Sequence, residues 1–286
     1  MLIIRNYKMF DFTKKKNRKY LNDFFFFLLK KVNDDIILKH LENLNSDEIF
    51  TKSDKDDFVT VYDKKAEEYI IKEINKKFTT IKIIGEETSF QKNIDLSIID
   101  DGYYLTIDPI DGTKNYINKN KNFCSMVSLI FKKKPIATFI YYPIIKKYIS
   151  SFENFGSKIL DLNTNEICKL KINKELINFA TGGTKGIPEI NRKIILEKFN
   201  TNFKRCFIGS AGVETLMLAN NEVDFIFHGR VTPWDHSPMT LITKEAGGEV
   251  LMFNDASTFN VVSNGPILAA KNIEHWNHVK GRLNIN

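Results

Sequence analysis

Near the start of the chain, apolar residues recur at helical spacing. They are Leu21, Phe24, Leu28, Val32, Ile36, Leu41 and Leu44. This spacing predicts a first helix of about twenty residues with one buried face. A second helix is predicted over 62–78, where early acids and late lysines also suit the helix dipole. Residues 49–61, between the two helices, have the pattern of a β-hairpin with its turn at 53–57.

Apolar runs then predict a series of strands. They cover residues 81–84, 103–107, 123–131, 136–142 and 147–152. The turns between them are short, for example 132–135, so neighbouring strands are expected to pair in antiparallel fashion. The sequence therefore predicts a largely antiparallel sheet.

The pattern changes near Asp161, where predicted strands and helices begin to alternate. These elements fall at 179–181, 189–199, 206–208, 211–220 and 223–227. Alternation of this kind is typical of an α/β arrangement with parallel strands. A further helix is expected, with Pro238 in its first turn and Gly247 just past its end. Strands and a last helix are then predicted near Val250, Val261 and Leu268 and over 273–282.

The chain is accordingly expected to have three parts. Residues 1–20 form a basic, loosely ordered leader, and 21–160 hold the first helices and the antiparallel sheet. Residues 161–286 form an α/β half that completes the active site. The Asn-, Lys- and Thr-rich stretch 161–174 is the predicted boundary between the two halves.

Composition and charge narrow the possible partners. The 286 residues carry a net charge of +7, mostly from scattered lysines. No arginine-rich groove or RNA-binding aromatic motif accompanies that charge, so a solvated surface is favoured over nucleic-acid binding. The apolar run 24–29 is too short to span a membrane. Three widely spaced cysteines form no disulfide or zinc pattern, which favours a cytoplasmic location.

The candidate chemistry begins at Asp108-Pro109-Ile110-Asp111-Gly112-Thr113. This hexapeptide follows a predicted strand, so both aspartates and the Ile110 carbonyl can face one point. Carboxylates gathered in one pocket repel each other unless cations lie between them, and oxygen ligands suit Mg²⁺. The N–H groups of Gly112 and Thr113 lie at a predicted helix start, which favours a bound anion. Taken alone, however, Asp-Gly is also a common turn.

Two further acidic motifs lie at the ends of apolar runs. Gly85-Glu86-Glu87 follows the strand at 81–84, and Trp234-Asp235 precedes Ser237-Pro238. Each has a simpler alternative when taken alone, since exposed Glu pairs are often solvated and Asp235 suits a helix N-cap. Their combination with the hexapeptide predicts a magnesium and phosphate site.

In this order, the three motifs resemble the signature of the inositol monophosphatase family. These Mg²⁺-dependent, lithium-sensitive phosphatases are related to fructose-1,6-bisphosphatase and bisphosphate nucleotidases. The resemblance runs from about Leu21 to the C-terminus and implies an αβαβα layered sandwich. It includes further matching positions at Lys52, Asp57-Phe58-Val59-Thr60, Asp63, Asn115-Tyr116, Gly209-Ser210-Ala211 and Glu245-Ala246-Gly247-Gly248.

The resemblance also implies roles for individual residues. Two to three Mg²⁺ ions would be held by Glu86, Asp108, the Ile110 carbonyl, Asp111 and Asp235. Asp63 would orient the Thr113 hydroxyl toward the attacking water, and Glu86 would help to orient that water. Asp63 has an alternative role as an acid that suits a helix N-terminus. The implied substrate-binding residues are Gly112, Thr113, Gly209, Ser210, Ala211, His228 and Arg230.

The sequence departs from the family pattern near Asp235. His228 stands seven residues earlier, where the animal inositol-directed enzymes carry a glutamate that receives sugar hydroxyls. With Arg230 close behind, a pair of potential cations replaces an acceptor, which would favour a substrate with a second anionic group. Alternatively, both side chains pair with local acids such as Asp224. His236 is expected to support other residues or to lie at the surface, because Mg²⁺ prefers oxygen ligands.

The sequence therefore predicts a Mg²⁺-dependent phosphomonoesterase. It would hydrolyse a small soluble phosphate ester, such as an inositol-like, polyol or sugar phosphate, by direct attack of metal-activated water. One alternative is a nucleotidase that acts on 3′-phosphoadenosine 5′-phosphate or a related bisphosphate. An alternative of another class is a non-catalytic member of the fold that binds RNA or protein. The resemblance also suggests a homodimer.

Overall fold

The first described helix starts earlier than the sequence predicts. The computed structural model describes residues 11–12, 14–52, 57–92, 95 and 99–283. Helix α1 (Lys15–Val32) continues through a π-helical segment (Asn33–Ile37) into α2 (Leu38–Leu41). Residues 15–20, which the sequence assigned to the leader, are thus helical, while positions 1–10 lie outside the described residues.

The predicted hairpin and second helix are both present. Strands β1 (Ile49–Thr51) and β2 (Phe58–Thr60) pair in antiparallel fashion, and the turn between them, at 53–56, lies outside the described residues. Helix α3 (Val61–Lys77) follows directly. The Thr60 side chain accepts hydrogen bonds from the first turn of α3, and the Asp63 side chain accepts one from the Thr60 N–H in return. This capping box fixes Asp63 at the start of the helix.

A seven-stranded sheet follows, and it is largely antiparallel as predicted. Its strands, in sheet order, are β3 (Lys82–Gly85), β4 (Tyr103–Asp111), β5 (Cys124–Phe131), β6 (Lys134–Tyr142), β7 (Lys147–Phe152), β8 (Gly156–Asp161) and β9 (Glu166–Lys169). Among the described strands of this sheet, only β3 and β4 pair in parallel. Short helices α4 (Glu86–Lys92) and α5 (Thr113–Ile117) leave the ends of these two strands. The sheet runs past the expected boundary at residue 160, because left-handed Asn154 and Asn165 make tight turns into β8 and β9.

The second sheet mixes parallel and antiparallel pairs. Its strands, in sheet order, are β11 (Lys204–Arg205), β10 (Phe179–Gly183), β12 (Phe225–His228), β14 (Ile267–Ala270) and β13 (Glu249–Met252). Strand β10 pairs in parallel with β11 and β12, whereas β14 pairs in antiparallel fashion with β12 and β13. Parallel pairing is therefore confirmed for only part of this half. The predicted strands at 206–208 and near Val261 are wrong, since the chain there is irregular and Val261 is buried in a turn.

Helices cover both faces of the second sheet. They are α6 (Glu189–Asn202), α7 (Ala211–Ala219), α8 (Pro233–Glu245) and α9 (Ile273–Leu283). Pro233, not Pro238, occupies the first turn of α8. Pro238 lies inside the helix, where its missing N–H removes one intrahelical hydrogen bond.

Among the buried clusters of the described residues, three lie between the layers and join these elements into five layers. The first lies between α1, α3 and one face of the seven-stranded sheet, and includes Phe25, Ile70 and Phe139. The second fills the space between that sheet, α7, α8 and the five-stranded sheet. The third lies between the five-stranded sheet and α6 and α9, around Phe199 and Trp276. The order helix, sheet, helix, sheet, helix confirms the αβαβα sandwich. Among the described helices, none is both long and apolar enough to cross a membrane.

Candidate active site

Three aspartates converge where β4 ends and α8 begins. Asp108 and Asp111 lie on either side of an irregularity in the pairing of β4 with β5, and Asp235 lies in the first turn of α8. Carboxylate oxygens of all three lie within 4.8 Å of one another. A bulge re-aims neighbouring side chains, which lets both β4 aspartates face α8. We call these three residues the acid cluster.

The acid cluster carries strong electrostatic strain. Burial, with repulsion from Glu86, Asp111 and Asp235, raises the pKa of Asp108 well above its ordinary value. Burial and the charge of Asp235 raise the pKa of Asp111 to about 7, even though several donors oppose the shift. Such mutual repulsion is relieved when a cation binds between the carboxylates.

Asp111 also binds the N-terminus of α7. It accepts hydrogen bonds from Ser210 Oγ at 2.5 Å, from the Gly212 N–H at 2.7 Å and from the Ala211 N–H at 3.1 Å. A Cβ at position 212 would lie 2.3 Å from Cys124 Sγ. Glycine at this position therefore permits the close approach of α7 to Asp111.

Glu86 lies beside the acid cluster, in an ion pair. Lys52 Nζ is 2.6 Å from Glu86 Oε1 and 2.7 Å from Glu87 Oε1. Burial opposes the charge on Lys52, but the two glutamates raise its pKa above the ordinary value. Glu86 does not belong to the acid cluster, whose oxygens lie within 4.8 Å of one another. Burial raises the pKa of Glu86, and the nearby charge of Asp235 adds to this rise.

Glu67 holds the turn that carries Glu86. Its carboxylate accepts hydrogen bonds from the N–H groups of Glu87 and Thr88, each at 2.8 Å. A Cβ at Gly85 would lie 2.4 Å from the Glu67 carboxyl carbon, so this approach requires glycine. Glu67 was not among the site residues predicted from the sequence. The sequence does carry a signal for Glu67, because it lies one helical turn after Asp63 and therefore on the same face of α3.

Asp63 contacts Thr113 across the site. The Thr113 hydroxyl donates toward Asp63 Oδ1 at 3.0 Å and toward the Ile110 carbonyl at 3.1 Å. The other Asp63 oxygen accepts hydrogen bonds from the N–H and hydroxyl of Thr60. Burial raises the pKa of Asp63 to about 6, although the Thr60 hydrogen bonds oppose the shift. The predicted contact with Thr113 and the alternative helix-end role are thus both present.

Gly112 shapes the turn between the acid cluster and α5. It adopts a left-handed backbone with φ of 91°, and a Cβ there would lie 2.8 Å from the Asn122 carbonyl. The first hydrogen bonds of α5 are received by the Gly112 carbonyl. The N–H groups of Gly112 and Thr113 precede these bonds, as expected for donors at a helix start.

Comparison with known proteins agrees with this geometry. The model of the inositol monophosphatase family matches residues 25–283. The chain belongs to this family. A relative from Aquifex aeolicus, named fructose-1,6-bisphosphatase/inositol-1-monophosphatase, is 31% identical over 221 residues, which cover 74% of this chain and 78% of the relative. A Nus factor SuhB of Pasteurella multocida is 28% identical over 82% of this chain and 86% of that protein.

Solved structures show the same fold. An IMPase of Thermotoga maritima aligns with a TM-score of 0.75 and 23% identity, covering 93% of this chain and 96% of the other. The predicted family and sandwich fold are therefore confirmed. Membership of the inositol monophosphatase family supports a phosphatase that acts on small phosphate esters.

The structure places His228 differently from the predicted substrate role. Its Nε2 lies 2.6 Å from Glu214 Oε2, and its Nδ1 lies 2.8 Å from His236 Nε2. Both ring nitrogens are engaged inside the protein, so neither is free for a substrate. The alternative, in which His228 pairs with an acid of the protein, is therefore present, but the acid is Glu214 and not Asp224, which pairs with buried Lys271 at 2.9 Å.

Arg230 and Ser210 also have partners in the structure. Arg230 is half-exposed and lies 3.8 Å from Asp57, which also pairs with Lys185 at 2.9 Å. Ser210 donates to Asp111 and caps α7, so its hydroxyl positions the acid cluster. Its predicted contact with substrate, like those of Gly209, Ala211 and Arg230, stays a prediction.

Proposed function

We propose that this chain is a Mg²⁺-dependent phosphomonoesterase that hydrolyses a small phosphate ester by direct attack of water. The observation that carries the proposal is the partly buried contact between Asp63 and Thr113, beside the acid cluster. This arrangement puts a hydroxyl held by a carboxylate next to three acids that repel one another. A water molecule that attacks phosphorus requires orientation of this kind.

The residues present fit a magnesium site. Carboxylates of Asp108, Asp111 and Asp235 offer the oxygen ligands that Mg²⁺ prefers, and the raised pKa values of Asp108 and Asp111 indicate an unmet demand for positive charge. The Ile110 carbonyl and Glu86 complete the proposed set of ligands for two to three ions. When bound, Mg²⁺ lowers the pKa of coordinated water and neutralises charge on the phosphate.

The chain's own groups account for the remaining steps. Asp63 holds the Thr113 hydroxyl in place to orient the attacking water, and the N–H groups of Gly112 and Thr113 bind the phosphate oxygens. Cys124 is a poor nucleophile, because burial and the nearby Asp111 raise the pKa of its thiol well above the ordinary value. A covalent phosphoenzyme is therefore not part of the proposal.

The alcohol part of the substrate admits two candidates. A polyol, sugar or inositol-like phosphate follows from the names of the relatives, one of which is a fructose-1,6-bisphosphatase/inositol-1-monophosphatase. A 3′-phosphoadenosine 5′-phosphate or bisphosphate nucleotidase is favoured by Arg230 and Lys185, two cations near the site.

We propose a cytoplasmic homodimer, which sedimentation and cell fractionation would test.

A binding function without catalysis is the alternative of another class. Similarity to a protein named Nus factor SuhB gives it weight. The acid cluster opposes it, because a binding protein has no need to maintain buried carboxylates that repel one another. RNA binding that falls with salt but survives a chelator would favour this alternative.

Phosphate release from a panel of esters tests the proposal. The panel contains inositol, sugar, polyol, histidinol and nucleotide phosphates, each with Mg²⁺ and with excess chelator. We expect at least one ester to be hydrolysed with Mg²⁺ alone. Hydrolysis that is equal with chelator, or absent for every ester, would contradict the proposed function.

A further inference from the structure

A chain of hydrogen bonds through His228 joins the first turns of α7 and α8. His228 ends β12, and its Nε2 lies 2.6 Å from Oε2 of Glu214 on α7. Its Nδ1 lies 2.8 Å from Nε2 of His236 on α8. Glu214 and His236 are both buried, so water does not compete for these contacts. We call these three residues the His228 bridge.

Both ends of the His228 bridge lie next to the acid cluster. The first turn of α7 donates hydrogen bonds to Asp111, and Glu214 lies on the same turn. On α8, His236 directly follows Asp235. A shift of one helix against the other would therefore change the separation of the Asp111 and Asp235 carboxylates. Binding of Mg²⁺ should be sensitive to such a shift, because this ion requires nearly ideal octahedral geometry.

The first turn of α8 lacks two restraints that helices usually have. The Thr232 side chain makes no capping hydrogen bond, and its hydroxyl has no partner among the described residues. Pro238 has no N–H to donate to the Trp234 carbonyl, four residues earlier. His236 Nδ1 instead lies 3.0 Å from the Thr232 nitrogen and 3.1 Å from its carbonyl oxygen. The His228 bridge thus restrains the turn that carries Asp235.

The His228 bridge is complete in either of two proton arrangements. His228 Nε2 donates to Glu214 in both of them. If His228 Nδ1 is bare, it accepts from His236 Nε2, and His236 Nδ1 accepts from the Thr232 N–H. If His228 Nδ1 carries a proton, it donates to His236 Nε2, and His236 Nδ1 donates to the Thr232 carbonyl. The link between the helices therefore holds in both arrangements.

We propose that His228 is a positioning residue that holds α7 and α8 at the separation that Mg²⁺ binding requires. The inference rests on the proposed function and adds a determinant of metal affinity that contacts neither the ion nor the substrate. Breaking the His228 bridge should weaken Mg²⁺ binding. Loss of charge at His228 would act in the opposite direction, because an unpaired Glu214 would attract a cation more strongly. The sign of the change therefore separates positioning from charge.

Calorimetric titration of the substrate-free protein with Mg²⁺ tests three variants of His228. His228→Gln places an amide near Nε2 and can keep only the bond to Glu214. His228→Asn places an amide near Nδ1 and can keep only the bond to His236, while His228→Leu keeps neither. Because a bridge needs both bonds, each variant should raise the Kd for Mg²⁺ by about tenfold, the lower end of the range for groups that support metal ligands. Saturating Mg²⁺ should restore most of kcat.

His275 provides a matched control. It is a buried histidine on α9 whose ring lies 5.9 Å from that of Phe225 on β12, outside the candidate active site. His275→Leu should leave the Kd for Mg²⁺ unchanged, whatever its effect on stability. Urea unfolding establishes which variants fold, and the Gln and Asn variants carry the test if His228→Leu does not.

The outcomes separate the His228 bridge from the proposed function. An unchanged or lower Kd in a folded variant of His228 would overturn the positioning role and leave the phosphatase function standing. A rise in only one of the Gln and Asn variants would also overturn it, because a single contact would then suffice. If the wild-type protein binds no Mg²⁺, the metal-dependent function fails and the inference fails with it.

Discussion

The Asp63→Asn exchange separates a catalytic role of Asp63 from its role at the helix end. An asparagine carbonyl can accept the two Thr60 hydrogen bonds that one Asp63 oxygen receives. Its NH₂ group can then donate to the Thr113 hydroxyl oxygen, while that hydroxyl donates to the Ile110 carbonyl. Every hydrogen bond of Asp63 therefore keeps a partner, and only the charge is removed.

The difference in stability between the metal-free variant and the metal-free wild type should then depend on pH. Burial raises the pKa of Asp63 from 3.8 to about 6, so the folded state holds the proton more tightly than the unfolded state does. The wild-type protein accordingly loses stability as pH rises from 4 to 6, by about 3 kcal/mol from this group. At pH 8 we expect the free energy of unfolding of Asp63→Asn to exceed that of wild type by up to about 3 kcal/mol, so the variant should unfold at a higher urea concentration. At pH 4 the two proteins should differ little.

The activity of Asp63→Asn should fall, although its stability at pH 8 should rise. In the variant, the Thr113 hydroxyl no longer donates to a carboxylate, so it cannot orient the attacking water as in wild type. We expect kcat to fall by about a hundredfold or more with little change in KM, because the phosphate contacts are backbone N–H groups. Urea unfolding in chelator at both pH values and steady-state kinetics with Mg²⁺ measure the two effects. A variant destabilised equally at pH 4 and pH 8, with unchanged kcat, would refute the reasoning.

Three further predictions concern the same site. Thr113→Ala should lower kcat much more than it raises KM. When it is combined with Asp63→Asn, the loss of kcat should be less than the two single losses added together, and full additivity would show that the two residues act independently. The rise in Tm on adding Mg²⁺ should be larger at pH 8 than at pH 6, because cation binding requires ionised carboxylates and the pKa of Asp111 is about 7. Thermal melts measure this rise, and a rise that is the same at both pH values would contradict the prediction. Gly212→Ala should lower the free energy of unfolding by about 1–3 kcal/mol, since its Cβ would overlap Cys124 Sγ, and unchanged urea unfolding would show that α7 can move away.

The sequence was most informative where chemistry needs several residues in a fixed local order. Asp108, Asp111 and Asp235 were predicted to converge, and their carboxylate oxygens lie within 4.8 Å of one another. The contact of Asp63 with Thr113 was likewise predicted from the family resemblance and is present. The helices and the antiparallel sheet followed from apolar periodicity, which is strong for long buried elements.

The remaining features depend on contacts between distant parts of the chain. The engagement of both His228 nitrogens by Glu214 and His236 requires β12 to lie beside α7 and α8, and no local pattern shows this. The role of Glu67 could not be predicted from local sequence either, because the N–H groups that its carboxylate binds lie on α4. Strand β9 was missed for another reason: all of its residues are exposed, so it lacks the alternation that marks a half-buried strand.

Phosphate release as a function of free Mg²⁺ tests the central claim most directly, measured on wild type and Asp108→Asn. The exchange keeps the side-chain oxygen that accepts the Ile110 N–H at 3.0 Å and removes a repelling charge, so the variant should fold normally. We predict that wild-type turnover of the best ester rises from none in excess chelator to a plateau with Mg²⁺, while the folded variant stays inactive. Undiminished turnover in excess chelator, or full activity of Asp108→Asn, would contradict a metal-dependent phosphatase built on the acid cluster.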